Sequence, residues 1–262
     1  MNHVRSTLDL YAAVLRESGS ALRRSGYAVG VLALFFVVFT AASGALTALD
    51  GGGLASGLAL GLLRAGGVGW YLALIAIAVR QRRSVRLDDV QERVGHHLWD
   101  VITIGFIFWI AEMLLLPFLQ GSLWVVIAVA SVVFNPAPEL IYQGRSTGLE
   151  LLADAARFMQ SNWPEWLGLH LLAWAGLTAW AAFAYGTVSP ATGLFAAQMF
   201  GPFFGFIMAG GYAWALLGSS LAGVLSFVGL LAFVHWFMIA RGLLYARLAT
   251  SSRRGRAWQS RM

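Results

Sequence analysis

The side chains that could do chemistry in this chain are few, and they interrupt long apolar stretches. Counted at about 1.5 Å of helical rise per residue, Asp100, Glu139, His170 and His235 fall at one depth near the end of their segments, with His96 and His97 just beyond. Two carboxylates and two imidazoles at one level are the residue types of a divalent-metal site or a proton relay. A plainer account is favoured. Glu139 accepts from backbone donors freed by Pro136 and Pro138, and each histidine satisfies a neighbour. No metal and no cofactor is expected.

A second pair lies nearer the opposite face. Arg64 and Glu112 stand in what read as the second and third apolar segments. An ionisable group in hydrocarbon costs several kcal/mol, so it turns by default into the protein interior. The two are expected to form an ion pair that sets helix register. The alternatives are an ion-responsive carboxylate, or an Arg64 that snorkels to the surface. Asp89, Glu92, Arg93, His96 and Asp100 recur at helical spacing and read as a solvated face.

The elements that hold these groups follow from composition. Of 262 residues, 59% are hydrophobic and 11% charged, against about 25% charged in a typical soluble chain. Several stretches exceed the roughly 20 apolar residues needed to cross a bilayer as helix. The ten-residue alternation of a membrane β-barrel is absent. The expected fold is therefore all-α: a polytopic membrane protein with a six-helix transmembrane bundle. There is no cysteine, which excludes disulfides, thiolate metal sites and cysteine nucleophiles. No phosphate loop, dinucleotide fingerprint, nucleophile elbow or zinc-protease motif occurs. A non-enzymatic protein is expected.

Residues 1–25 place Val4, Leu8, Tyr11, Leu15 and Leu22 at helical spacing among arginines and acids, as a surface-lying amphipathic helix does. Spans are expected over about 27–49, 55–79, 98–118, 123–142, 166–184 and 221–240. Gly53, Gly57 and Gly61 form a small-residue ladder that lets helices approach closely, and Gly66, Gly67 and Gly69 predict a bend. Asn135, Pro136 and Pro138 must break or kink the fourth span, because proline removes backbone donors. An amphipathic surface helix follows, with Leu149, Leu152, Ala156 and Met159 on its apolar face. Asn162-Trp-Pro-Glu165 reads as a new helix start, with Trp163 and Trp166 in an interfacial belt. Residues 191–213 carry proline and glycine and read as a re-entrant segment. The Phe-rich stretch 199–206 packs against the bundle or lines a lipid pocket. One integral membrane domain is expected over 1–262, with 1–25 amphipathic, 26–246 the bundle and 247–262 a basic tail.

All 18 basic residues are arginine. With six spans, every one but Arg64 falls on one side, which the positive-inside rule makes cytoplasmic, with both termini. That distribution, and not nucleic-acid binding, accounts for the net charge of +6.

The amphipathic start, the basic turn Arg80–Arg86, the break at Pro136–Glu139 and the amphipathic helix Leu149–Met159 together resemble the layout of YciC-like six-helix bacterial membrane proteins. They also resemble the membrane domain fused to some glycerophosphodiester phosphodiesterases. The resemblance implies a bacterial inner-membrane bundle without catalysis, serving membrane organisation, lipid handling or transport. The expected function is an accessory, scaffold or lipid-organising component in the lipid bilayer, with a membrane-protein partner or as a homo-oligomer. The alternative is a small transporter or channel that uses the broken helix and the inner polar cluster.

Overall fold

The computed structural model describes residues 2–50, 53–119, 122–144, 146–185 and 221–250. Segment 191–213, the stretch 199–206 and residues 251–262 of the basic tail lie outside them. Within the described residues all regular structure is helical: α1 (Asn2–Arg24), α2 (Gly26–Asp50), α3 (Leu54–Val79), α4 (Leu87–Glu92), α5 (Leu98–Leu119), α6 (Leu123–Val133), α7 (Ala137–Gln143), α8 (Gly148–Tyr185) and α9 (Leu221–Thr250). Among the described residues, five stretches are long and apolar enough to cross a membrane: Gly26–Leu49, Leu54–Val79, Leu98–Leu115, Val125–Gln143 and Leu231–Thr250. The molecule is a multi-pass membrane protein in that sense.

α3 is the buried centre, with Tyr71 through Ile75, Ile77 and Ala78 all closed off from the surface. It runs as one helix through Gly66, Gly67 and Gly69. Its close contacts are made by Gly67 and Gly69, not by the ladder expected from Gly53, Gly57 and Gly61. The Phe35 ring lies on Gly67, and a methyl added to Gly69 would come 2.7 Å from the His96 carbonyl. Gly57 and Gly61 have nothing within 4 Å of an added Cβ. Gly53 is the extended residue ahead of α3. Regular spacing identifies a small-residue face, but only the neighbouring backbone decides which glycines are needed.

α1 does more than lie on a surface. Its inner face (Tyr11, Val14, Ser18, Ala21) is buried, with Trp236 Nε1 of α9 donating to Ser18 Oγ at 2.9 Å. The phenol of Tyr11 reaches α8, donating to the Glu165 carbonyl at 2.7 Å.

The break in the fourth span falls where Asn135 and the prolines demanded it, α6 ending at Val133 and α7 beginning at Ala137. Pro138 occupies the first turn of α7, where a missing N–H has no helical acceptor to disappoint. α5 continues through Pro117. Contrary to the helix start expected at 162–165, α8 runs unbroken through Pro164, so the amphipathic helix and the following apolar stretch are one 38-residue element. The buried face of its first half is Leu151, Leu152, Ala155, Phe158 and Met159, while Leu149 is 71% exposed. α8 and α9 run antiparallel, since Phe158 meets Tyr245 and His170 meets Phe237.

Candidate functional site

Asn135 is the residue around which the polar interior is assembled. At the α6–α7 break its carbonyl is released from the helical ladder. Arg241 of α9 donates from Nη2 to that carbonyl at 2.7 Å, and from the same nitrogen to Glu139 Oε2 at 2.8 Å. The Asn135 side chain accepts from Trp166 Nε1 of α8 at 2.8 Å. The guanidinium carbon of Arg241 then lies 5.4 Å from the centre of the Trp166 ring, within cation–π range. All four side chains are buried, Asn135, Glu139 and Trp166 completely. A broken helix, a cation and an indole thus tie three elements at one point.

Three sequence expectations change here. Glu139 has a charge partner, Arg241, that the backbone-donor expectation did not include. Arg241 was counted with the arginines of the boundary, yet only 3% of it is exposed. Trp166 was assigned to an interfacial belt and is fully buried, whereas Trp163 is 56% exposed. The i,i+4 spacing of Trp166 and His170 was the available signal, because it puts both on the helix face that meets α9.

His170 stacks beside this point. Its Nδ1 lies 2.9 Å from the Trp166 carbonyl, which can only accept, so Nδ1 carries the proton. The ring meets Phe237 edge-on at 5.1 Å.

His235 belongs to a separate clamp. Ser25, in the one-residue joint between α1 and α2, donates its hydroxyl back to the Ala21 carbonyl at 2.9 Å. Its oxygen is then left to accept, and His235 Nε2 stands 2.8 Å away. Nε2 therefore bears the proton, and Nδ1 accepts from Tyr71 Oη at 2.8 Å. The chain runs in one direction: Tyr71 to His235 to Ser25 to Ala21. Ser25 and His235 are completely buried and Tyr71 is nearly so. This joins α3, α9 and the α1–α2 joint with every donor matched to an acceptor.

No family model, curated protein or solved structure matches this chain.

The remaining expected members lie elsewhere. Asp100 pairs with His97 Nδ1 at 3.2 Å in the first turn of α5, partly exposed. His97 sits in left-handed backbone at φ 59° and Gly95 at φ 79°, in the 93–97 loop that abuts Gly69. The adjacent His96 has its pKa lowered by burial, then by Arg93 and His97. The four residues expected at one depth are thus divided among three places, and no group of three metal-type ligands exists among the described residues.

Glu112 is exposed on α5, and no ion pair joins it to Arg64 among the described residues. α3 and α5 meet at the Gly69 end, where Trp70 Nε1 also donates to the Val90 carbonyl at 2.7 Å. Further along α5, Phe106, Trp109, Met113 and Phe118 are exposed as Glu112 is. Asp89 also departs from the solvated stripe. It is buried and receives Arg83 Nη1 at 2.7 Å and the Arg86 N–H at 2.8 Å. Those hydrogen bonds, Arg83 foremost, hold its pKa down at about 2.

Proposed function

We propose that this chain is a non-enzymatic integral membrane protein, an accessory, scaffold or lipid-organising component of a membrane assembly. In this reading it crosses six times, the second half of α8 being the fifth crossing, with residues 191–213 re-entrant. Both termini are cytoplasmic, in the inner membrane of a bacterium, as the resemblance to the YciC-like layout implies. The observation that carries the reading is how the buried polar groups are used. Arg241, Glu139, Asn135 and Trp166 bind one another, and Ser25, His235 and Tyr71 do the same. Meanwhile α2 and α5 keep broad apolar faces outward. Such an interior joins helices, and such an exterior suits lipid or another membrane protein.

The test is native purification of the full chain in mild detergent, with identification of proteins and lipids that stay bound. A reproducible membrane-protein partner or lipid class is expected. Recovery of the chain bare and monomeric would overturn the reading.

One observation favours a small transporter instead. A helix broken beside a buried charge pair is how transporters build a site at membrane depth, and the break at Asn135 lies against Glu139 and Arg241. Solute flux in proteoliposomes that is abolished by Glu139→Gln would establish that alternative.

A further inference from the structure

At one end of the bundle three distant parts of the chain converge on a single carboxylate. Glu17 of α1 pairs with Arg247 of α9 at 2.7 Å through Oε2 and with Arg82 at 3.4 Å through Oε1. The turn 80–86 is also tied to the end of α1 through its backbone, the Val85 N–H donating to the Arg24 carbonyl at 2.8 Å. Arg82 is held at φ 54°, a left-handed conformation unusual for a side chain of its size, so the turn has a defined shape. Arg83 is neutralised by Asp89. Arg80 and Arg86 are exposed and engage no acid among the described residues.

The charge does not balance. Arg24, Arg247 and the arginines of 80–93 number seven, against Glu17, Asp88, Asp89 and Glu92, an excess of three cations. Beside them Leu87, Val94 and Trp99 are 57%, 63% and 74% exposed. Guanidiniums next to exposed aliphatic and indole groups suit the boundary between headgroups and acyl chains. An acidic soluble peptide would match the charge but leave those apolar groups in water.

We propose that the Arg80–Arg86 turn, braced by α1 and α9, is a binding site for the phosphate headgroup of an anionic phospholipid, with Arg80 and Arg86 as its principal contacts. Arginine suits this role because its planar fork gives two parallel hydrogen bonds to phosphate oxygens. The proposal rests on the reading of the chain as a lipid-organising membrane protein and names the lipid class.

The experiment titrates purified full-length protein with an equimolar mixture of phosphatidylglycerol and phosphatidylcholine in detergent, counting bound lipids by native mass spectrometry. The wild type should retain phosphatidylglycerol preferentially, and added salt should erode the preference. The Arg80→Gln/Arg86→Gln variant should lose roughly fivefold per arginine, from about 1 kcal/mol for each basic residue near an anionic surface. Arg80→Lys/Arg86→Lys should keep the salt-dependent part of the preference and lose the part that the planar fork supplies. Equal retention of the two lipids by the wild type, or a full preference in the glutamine variant, would overturn the site. So would complete competition by inorganic phosphate, which would make free phosphate the ligand. If the glutamine variant does not fold, the wild-type selectivity and its salt dependence still decide. Solute flux with lipid preference intact would remove the scaffold reading and leave the site standing. A bound protein partner with no lipid preference would do the reverse.

Discussion

Arg241 and Glu139 are separated by 102 residues and meet at 2.8 Å, Glu139 wholly buried and Arg241 nearly so. Removing one partner leaves the other charge buried, which costs on the order of 3–5 kcal/mol. Glu139→Ala and Arg241→Ala are each expected to lower the thermal unfolding midpoint in detergent sharply. Glu139→Leu/Arg241→Met should be milder than either single change, because no uncompensated charge remains. A double variant as unstable as the sum of the singles would contradict the clamp.

The directed chain through His235 makes an asymmetric prediction. Ser25→Ala removes the acceptor for His235 Nε2–H and Tyr71→Phe removes the donor to Nδ1. Each strands one buried polar atom at about 1–3 kcal/mol. His235→Leu should make the two hydroxyl changes nearly neutral with respect to each other. A double-mutant cycle on thermal unfolding measures that coupling, and zero coupling between Ser25 and His235 would refute the assigned hydrogen bond.

Gly242 lies under the Tyr142 hydroxyl, and a Cβ there would also come 3.2 Å from a Val79 methyl. Gly242→Ala should therefore destabilise by about 1–3 kcal/mol, the usual penalty for overpacking. Adding Tyr142→Phe removes the atom that collides and should recover part of the loss. The comparison of the two unfolding midpoints is the readout, and no recovery would mean that the helix backbone, not the phenol, is the obstacle.

Stability should respond to pH at both extremes for separate reasons. Asp89 is held at about 2 by Arg83 and the Arg86 N–H, below the roughly 3.9 of an unfolded aspartate. Its contribution is complete above that unfolded value and disappears as pH falls through about 2, and Asp89→Asn should flatten this acid limb. Tyr11 is pushed up to about 12, by burial first and then by Glu165. Its contribution is intact below the unfolded value of about 10 and is lost as pH rises through about 12. Tyr11→Phe should remove that alkaline limb in an unfolding series across pH.

Much of the architecture was legible in the one-dimensional pattern. Apolar run length marks membrane-spanning helices because backbone groups in hydrocarbon must be satisfied within their own segment. The Asn135-Pro136-Ala137-Pro138 break was legible because proline has no N–H to offer. The pairing of Glu139 was not, since nothing local to it indicates Arg241. Trp166 shows the same limit: an indole near a helix end reads as interfacial unless the neighbouring helix is known. Pro164 was read as a helix start because a local rule cannot register packing that holds α8 together on both sides.

By itself, then, the sequence determined the helical class, the apolar segments and the place where one helix must fail, all consequences of chemistry within a few residues. The tertiary structure decided which side chains meet. It divided one expected polar cluster among three places, left Glu112 exposed with no ion pair to Arg64, and brought Glu17 between Arg82 and Arg247. The physical reason is that a buried charge takes whatever partner the packing of apolar faces brings within 3 Å or so, and that packing is settled between segments a hundred or more residues apart.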